Sequence, residues 1–581
     1  IRRCRVPGPD TIIDLIYLWY FSSLATERSC SVTIQTDSGK VRGLRRDADG
    51  YAYYSFRNVT FAKQPVGALR FQELQPPEPW DDVADATEDG PICPQDNIFY
   101  NNLMTPSGMD EACVHASVHV PVNAPIQLLK TTSCRPSRHL RPPNPHTPGS
   151  QKGLPIFVFV HGGGFSFGSG HADLHGPEYL VRKGVIVVTF NYRLRAFGFL
   201  SLNSSRVPGN AGVRDVVTVL KWVKKNAISF GGDPDKITLG GQSAGAAITH
   251  LLSLDDKQDL FQRAIMMSGT ASRSFYSSSP INAERMATFL TLQLGLNYTD
   301  KEETYNALIN TPVETIGTIT NLLRNVNGFT DYTPVVESKH KNVKAVIKID
   351  PDDGLNAGAG NRIPKIIGFT DNECFSFKNI LENINILERI KENPATVVPV
   401  SLLFQLPPEK LIEVAQEIMT RYFKGEPTMD EYLKLCSDSF FIYPTLMTVD
   451  KSEGDVYMYR FGYVGGGSKI LQDATGSFCD ADGGCIGASH VEDIMYIFKA
   501  NSYPDYEYTP SDITMQDWIT TMYTNFIKNG VYNQWLPVNR DKIKFLDIRK
   551  PLDYKMVELD EELLETKYFF NKLYNLVQKT E

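Results

Sequence analysis

The chain reads as an α/β protein with a mostly parallel central sheet and helices on both faces. Three observations predict this. Apolar, β-branched runs alternate with runs of helical spacing through the middle of the 581 residues, as expected of strands buried on both faces and joined by crossover helices. His161-Gly162-Gly163-Gly164 directly follows one apolar run. Gly241-Gln242-Ser243-Ala244-Gly245 directly follows another and opens a helical run.

Taken in order, the first segment is Arg2, Arg3 and Arg5 ahead of an apolar stretch from about Leu15 to Phe21, with Ser23-Leu24-Ala25 as a cleavage site. Residues 1–26 read as a secretory signal or as a non-native start: Asp14 interrupts the segment and the chain opens on Ile1. Residues 27–581 read as one catalytic domain. Within it, 123–151 carries Pro125, Pro136, Pro142, Pro143, Pro145 and Pro148, with Arg135, Arg138 and Arg141 among them. Such a stretch suits neither a long helix nor a central strand and reads as an exposed insertion or as a spurious segment. Strands are expected at Leu154–Val160, Gly184–Phe190, Ile237–Gly240, Arg263–Met267, Lys365–Phe369 and Asp455–Phe461, and helices at Asp215–Lys225 and Ala244–Leu254.

Bulk properties narrow the function. A formal net charge of −8 argues against a nucleic-acid partner. No run after the N-terminal segment approaches the roughly 20 apolar residues of a membrane span, and the last residues, Leu576 to Glu581, lack the apolar tail of a lipid-anchor signal. Nine cysteines leave one free or paired between chains if the protein is secreted. Sequons begin at Asn58, Asn203 and Asn297 and are glycan candidates only on the secretory path. A functional signal places the chain outside the cell; without one it is cytoplasmic.

The glycine-rich phrases supply chemistry. A nucleophile elbow needs a strand before it, a helix after it and small neighbours, because its backbone is strained and crowded. Ser243 has all three. Ser166, in the second match Gly164-Phe165-Ser166-Phe167-Gly168, sits between phenylalanines with no helix following. Main-chain amides of Gly163, Gly164 and Ala244 are the candidate oxyanion hole, since glycine lets backbone approach a carbonyl unobstructed. A serine hydroxyl needs a base, and His490, in Gly487-Ala488-Ser489-His490 beyond the strand at 455–461, is placed for it. Where the chain order is Ser…Asp/Glu…His, Glu373 and Asp371 both follow the Lys365–Phe369 strand, and spacing does not choose between them.

These residues resemble the type-B carboxylesterase and cholinesterase family from about Ser31 onward. Phe56-Arg57-Asn58-Val59, Pro65 to Phe71, Asn191-Tyr192-Arg193, Pro208-Gly209-Asn210 and Phe230 to Pro234 join the two glycine phrases in the family's order. The resemblance implies an α/β-hydrolase fold, a Ser243–Glu373–His490 triad chosen over Asp371, no metal and no cofactor. It also implies a Cys93–Cys113 disulfide and a supporting hydroxyl at Thr270. Gln242 and the spacing from His490 to Asp493 resemble insect juvenile-hormone esterases and antennal or general esterases. Some features depart from the family. Ala112 stands before Cys113 where an acid is usual. Val216 follows Asp215 where juvenile-hormone esterases tend to carry Gln, which weighs against that specificity. The family's second disulfide is absent between Leu254 and Ala264. The Cys93–Cys113 loop has no tryptophan to hold a quaternary ammonium, so choline esters are not expected substrates. The pairing of Cys374, Cys436, Cys479 and Cys485 stays open, with Cys479 and Cys485 flanking a glycine-rich loop.

The expected activity is ester hydrolysis through an acyl-enzyme on small-molecule esters: odorant or pheromone, hormone or xenobiotic. The alternative is a non-catalytic binding or adhesion protein of the same family. Oligomeric state is not readable.

Overall fold

A computed structural model describes residues 30–578, except 49, 132–152, 275, 277–278, 328–331, 404, 479–486 and 532–533. The expected signal segment, most of the proline-rich insertion, and Cys479 and Cys485 lie outside the described residues.

Among the described residues, fourteen strands form one sheet. They are β1 (Ser31–Gln35), β2 (Lys40–Ala48), β3 (Tyr51–Val59), β4 (Val83–Asp85), β5 (Ala116–Pro121), β6 (Leu128–Thr131), β7 (Leu154–Val160), β8 (Ile186–Phe190), β9 (Gly232–Gln242), β10 (Arg263–Met267), β11 (Lys365–Thr370), β12 (Val456–Phe461), β13 (Lys544–Ile548) and β14 (Met556–Glu558). Their order is β14-β13-β12-β11-β10-β9-β7-β8-β5-β3-β2-β1-β6, with β4 beside β2. From β13 to β8 every neighbouring pair is parallel. The flanks, β8-β5-β3-β2-β1-β6 and β13-β14, are antiparallel. The sheet is thus the α/β-hydrolase arrangement, parallel at its centre.

The central strands are the apolar runs of the sequence. All residues of β8 and β11 are buried, and all of β7 after Leu154, because helices cover both faces. Helix Ala211–Asn226 crosses from β8 to β9 and helix Ala244–Ser253 from β9 to β10. Helices between β10 and β12, and Pro510–Asn529 and Glu561–Gln578 later in the chain, complete the cover. Two outcomes differ from expectation. β9 begins at Gly232, five residues before the apolar run, and takes Pro234 within it, with the pairing to β7 shifting register between Leu154 and Ile156. Leu128–Thr131, a part of the proline-rich stretch that itself holds no proline, forms β6, an edge strand on β1.

Strand order reverses at the centre: β8 lies on one side of β7, and the chain then crosses to place β9 on the other. In an open α/β sheet the crevice outside the carboxyl ends at such a switch point is where ligands bind. The glycine run leaves the end of β7, and Ser243 leaves the end of β9. A buried ion pair supports this edge: Arg193, after β8, grips Asp215 of the 211–226 helix through Nε at 2.8 Å, Nη2 at 2.6 Å and its backbone N–H at 3.0 Å. Removing one partner of so buried a pair would leave an uncompensated charge, at a cost of about 3–5 kcal/mol.

Candidate active site

Ser243 sits between β9 and its helix at φ 57° and ψ −123°, a conformation few non-glycine residues adopt. The neighbours explain why small residues surround it. A Cβ on Gly241 would lie 2.3 Å from the carbonyl carbon of Gly245, one on Gly245 would lie 2.1 Å from the Val160 carbonyl oxygen, and one on Gly269 would lie 2.2 Å from the Ser243 carbonyl oxygen. The Ser243 N–H donates to the Met267 carbonyl at 2.8 Å, tying the turn to β10.

The glycine run turns with φ 110° at Gly163 and 57° at Gly164, and Phe165 follows at 62°. A Cβ on Gly163 would meet the Phe167 carbonyl oxygen at 2.0 Å. Gly163 and Gly164 line the same cleft as Ser243. Among the described residues their amides donate no hydrogen bond within the chain, and the Ala244 amide opens the adjoining helix. Ser166 is buried inside the turn, donating to the Gly164 carbonyl at 3.2 Å.

His490 and Glu373 meet as a buried pair. His490 Nδ1 and Glu373 Oε2 are 2.6 Å apart, and Glu373 Oε1 accepts from the Thr370 N–H at 2.8 Å. Their backbones are joined as well, His490 N–H donating to the Glu373 carbonyl at 3.1 Å and Asn372 N–H to the Ala488 carbonyl at 2.9 Å. Asp371, two residues before Glu373, faces away and is held by Arg549 and Arg460; its burial pushes its carboxyl up to about 6. The loop carrying His490 is clamped from behind. Glu492 accepts from Ser489 at 2.7 Å and Asp493 from Tyr459 of β12 at 2.7 Å. Burial raises these carboxyls to about 7 and about 6. Val491 sits at φ 81°, a strained setting for a β-branched residue.

Sequence reasoning missed two side chains at the centre. Tyr276 Oη lies 2.6 Å from Ser243 Oγ, and Gln242 Nε2 lies 2.9 Å from His490 Nε2. An amide nitrogen only donates, so the imidazole is held with Nε2 as acceptor and with its proton on Nδ1 toward Glu373. The serine hydroxyl and the imidazole thus share one cleft, each hydrogen-bonded to a neighbour rather than to the other. Gln242 was readable as the residue before the elbow serine; Tyr276, in an aperiodic loop, gave no signal. Thr270 is buried beside the elbow, but its hydroxyl has no hydrogen-bond partner among the described residues.

The cleft is lined by Ile98, Phe99, Tyr100, Phe167, Phe377 and Ile380 around Ser243, Tyr276 and His490. Phe441 and Phe377 pack on the imidazole at ring separations of 4.6 and 5.2 Å. Ile98, Phe99 and Tyr100 belong to the loop closed by the Cys93–Cys113 disulfide. A second bridge, Cys374–Cys436, ties the segment after Glu373 to helix Met429–Ser437. Of the sequon asparagines, Asn203 and Asn297 are exposed, whereas Asn58 is half-buried with its side-chain oxygen enclosed. No helix among the described residues is long and apolar enough to cross a membrane.

The arrangement is a hydroxyl on a strained turn, a buried carboxylate–imidazole pair and free amides around an apolar pocket. The carboxylesterase family model matches residues 30–570. The juvenile hormone esterase of Heliothis virescens is 44% identical over 508 residues, covering 86% of each chain. Esterase B1 of Culex pipiens is 31% identical over 461 residues, 74% of this chain and 76% of that protein. The crystal structure of juvenile hormone esterase from Manduca sexta with OTFP covalently attached superposes with a TM-score of 0.86 at 42% identity, covering 94% of this chain and 100% of that one.

Proposed function

The chain belongs to the carboxylesterase family and is a carboxylic ester hydrolase; from that premise we propose that it works through an acyl-enzyme on Ser243. The Glu373–His490 contact at 2.6 Å, in the cleft that Ser243 lines, is the observation that carries this reading. Ser243 Oγ turns its proton to the imidazole while accepting a hydrogen bond from Tyr276, and Nε2 exchanges the Gln242 amide for the serine proton. Oγ attacks the ester carbonyl, Nε2 takes the proton, and Glu373 stabilises the imidazolium without itself being protonated. The oxyanion accepts from the amides of Gly163, Gly164 and Ala244. The alcohol leaves with the proton from Nε2, and water repeats the sequence to free the acid.

The substrate we propose is an ester with an extended apolar part, since Ile98, Phe99, Tyr100, Phe167, Phe377 and Ile380 surround the reacting groups. Among hormone, odorant and xenobiotic esters, the Heliothis and Manduca relatives favour a juvenile-hormone-type ester. The departure at Val216 does not oppose this, because Val216 is buried in the 211–226 helix and does not line the cleft. Disulfides in the fold support an oxidising, extracellular setting, with Asn203 and Asn297 as the accessible glycan sites.

Ser243→Ala tests the assignment. Turnover of every ester should fall by at least about 10³-fold, with loss of covalent labelling by an organophosphonate and an unchanged melting temperature. Ester turnover at the normal rate in the folded variant would overturn it.

A further inference from the structure

We propose that Tyr276 is a catalytic residue of ester cleavage, its hydroxyl donating a hydrogen bond first to Ser243 Oγ and then to the alkoxy oxygen that departs. The proposal rests on Ser243 being the nucleophile.

The placement is specific. Tyr276 Oη lies 2.6 Å from Ser243 Oγ and lines the cleft with it. The ring is 1% exposed. It stands edge-on to Phe165, 5.8 Å away at 90°, and to Phe441, 6.2 Å away at 69°. Phe165 follows the oxyanion turn and Phe441 covers the imidazole, so the ring is wedged between the two halves of the site. Its backbone is held too: Tyr276 N–H donates to Ser274 Oγ at 3.0 Å, and that hydroxyl donates to the Thr270 carbonyl at 2.7 Å. Thr270 therefore bears on the site through its carbonyl and this loop.

The direction of the hydrogen bond follows from the reaction. The only proton on Oγ must go to His490, so in the attacking state the phenol is the donor. Once the Oγ–carbon bond forms, the serine oxygen becomes an ester-like oxygen and a poor acceptor. The alkoxy oxygen is bonded to the same carbon, and negative charge grows on it as its bond breaks. A donor within hydrogen-bond distance of Oγ is then placed to follow that charge. Every atom balances: Oγ–C forms, C–OR breaks, His490 carries the serine proton to the departing alkoxide, and Tyr276 keeps its own proton. Burial drives the phenol's ionisation well above its ordinary range, so it stays a donor at every working pH.

Tyr276→Phe deletes one oxygen and keeps the ring. The test is kcat/KM, which reports acylation, for a series of esters with one acyl group and alcohols from p-nitrophenol to simple alkanols. The expected loss is about 10- to 100-fold for alkyl esters and about threefold or less for the nitrophenyl ester, whose leaving group needs no help. The dependence on leaving-group acidity thus steepens. An equal loss across the series, or no loss, overturns the proposal, since a merely structural role would lower all esters together. A fluorinated tyrosine introduced at 276 keeps the shape and strengthens the donor. It should flatten the same dependence, and an unchanged slope there also overturns the proposal, even if the Phe variant folds poorly. Failure of the serine assignment would appear separately, as turnover in Ser243→Ala.

Discussion

Glu373→Gln changes one atom and should nearly silence the enzyme. Glu373 accepts two hydrogen bonds, from the Thr370 N–H at 2.8 Å through Oε1 and from His490 Nδ1–H at 2.6 Å through Oε2. A glutamine has one acceptor oxygen for these two donors. The Thr370 amide is fixed by the strand, so the glutamine oxygen stays with it and the NH₂ group faces Nδ1. Two donors cannot share that position. The imidazole responds by moving its proton to Nε2, the nitrogen that should receive the serine proton, and the imidazolium loses its counter-charge. The same tautomer fault in serine proteases lowers kcat by about 10⁴, so a loss of about 10³–10⁴ is expected here. KM should stay within a few-fold, because Glu373 lies behind His490 and does not line the cleft. The assay is steady-state hydrolysis of a nitrophenyl ester, paired with thermal melting to show that the fold persists. A kcat within tenfold of the parent would refute both the role of Glu373 and the assumed tautomer.

Two more predictions follow from the same geometry. Gly163→Ala puts a Cβ 2.0 Å from the Phe167 carbonyl oxygen at φ 110°, so the turn must shift by roughly an ångström. The expected loss is about 10²-fold or more in kcat, with organophosphonate labelling slowed in proportion; labelling at the parent rate would clear this turn of an oxyanion role. Glu492, raised by burial from 4.5 to about 7, binds a proton in the folded state that it lacks when unfolded between those values. Its contribution is fully present below pH 4.5 and is lost as pH rises through about 7, an effect of order 3 kcal/mol. Glu492→Gln should remove that part of the melting temperature's pH dependence and melt higher than the parent at pH 8; an unchanged pH profile would refute it.

What the sequence disclosed and what it hid follow a physical line. Backbone demands appear as residue types: the crowding at positions 163, 241, 245 and 269 leaves only glycine, so the elbow and the turn were legible. Two-sided burial appears as unbroken apolar runs, so β7, β8, β10 and β11 were legible nearly to the residue. The antiparallel flank was not read. β2 carries Arg42, Arg45 and Arg46 on a surface-facing strand, and its alternation is too short to stand out. The choice of Glu373 over Asp371 depended on which carboxylate turns inward, a matter of loop geometry that spacing does not encode. Tyr276 lies in a hydroxyl-rich loop with no periodicity, and only the folded chain brings it to Ser243.

Part of the strained backbone lies at the same site as the side chains. Phe165, Ser243, Ser268 and Val491 are non-glycine residues at positive φ, each costing about 1–3 kcal/mol. They sit beside the glycine turn, at the elbow, just after β10 and next to His490. Such conformations persist only where surrounding structure fixes them. Here the Ser243 N–H is held by Met267, and the Ser268 N–H by the Gly368 carbonyl, at 2.8 and 2.9 Å. Both bonds extend the ladders of β9, β10 and β11 past the end of the sheet. The parallel centre therefore does more than bury apolar residues. Its last rungs hold Ser243 in a conformation that a free turn would leave, beside the Gly163 and Gly164 amides proposed to take the oxyanion. A substitution that loosens β10 against β9 should cost activity before it costs the fold, because the strained turn relaxes first.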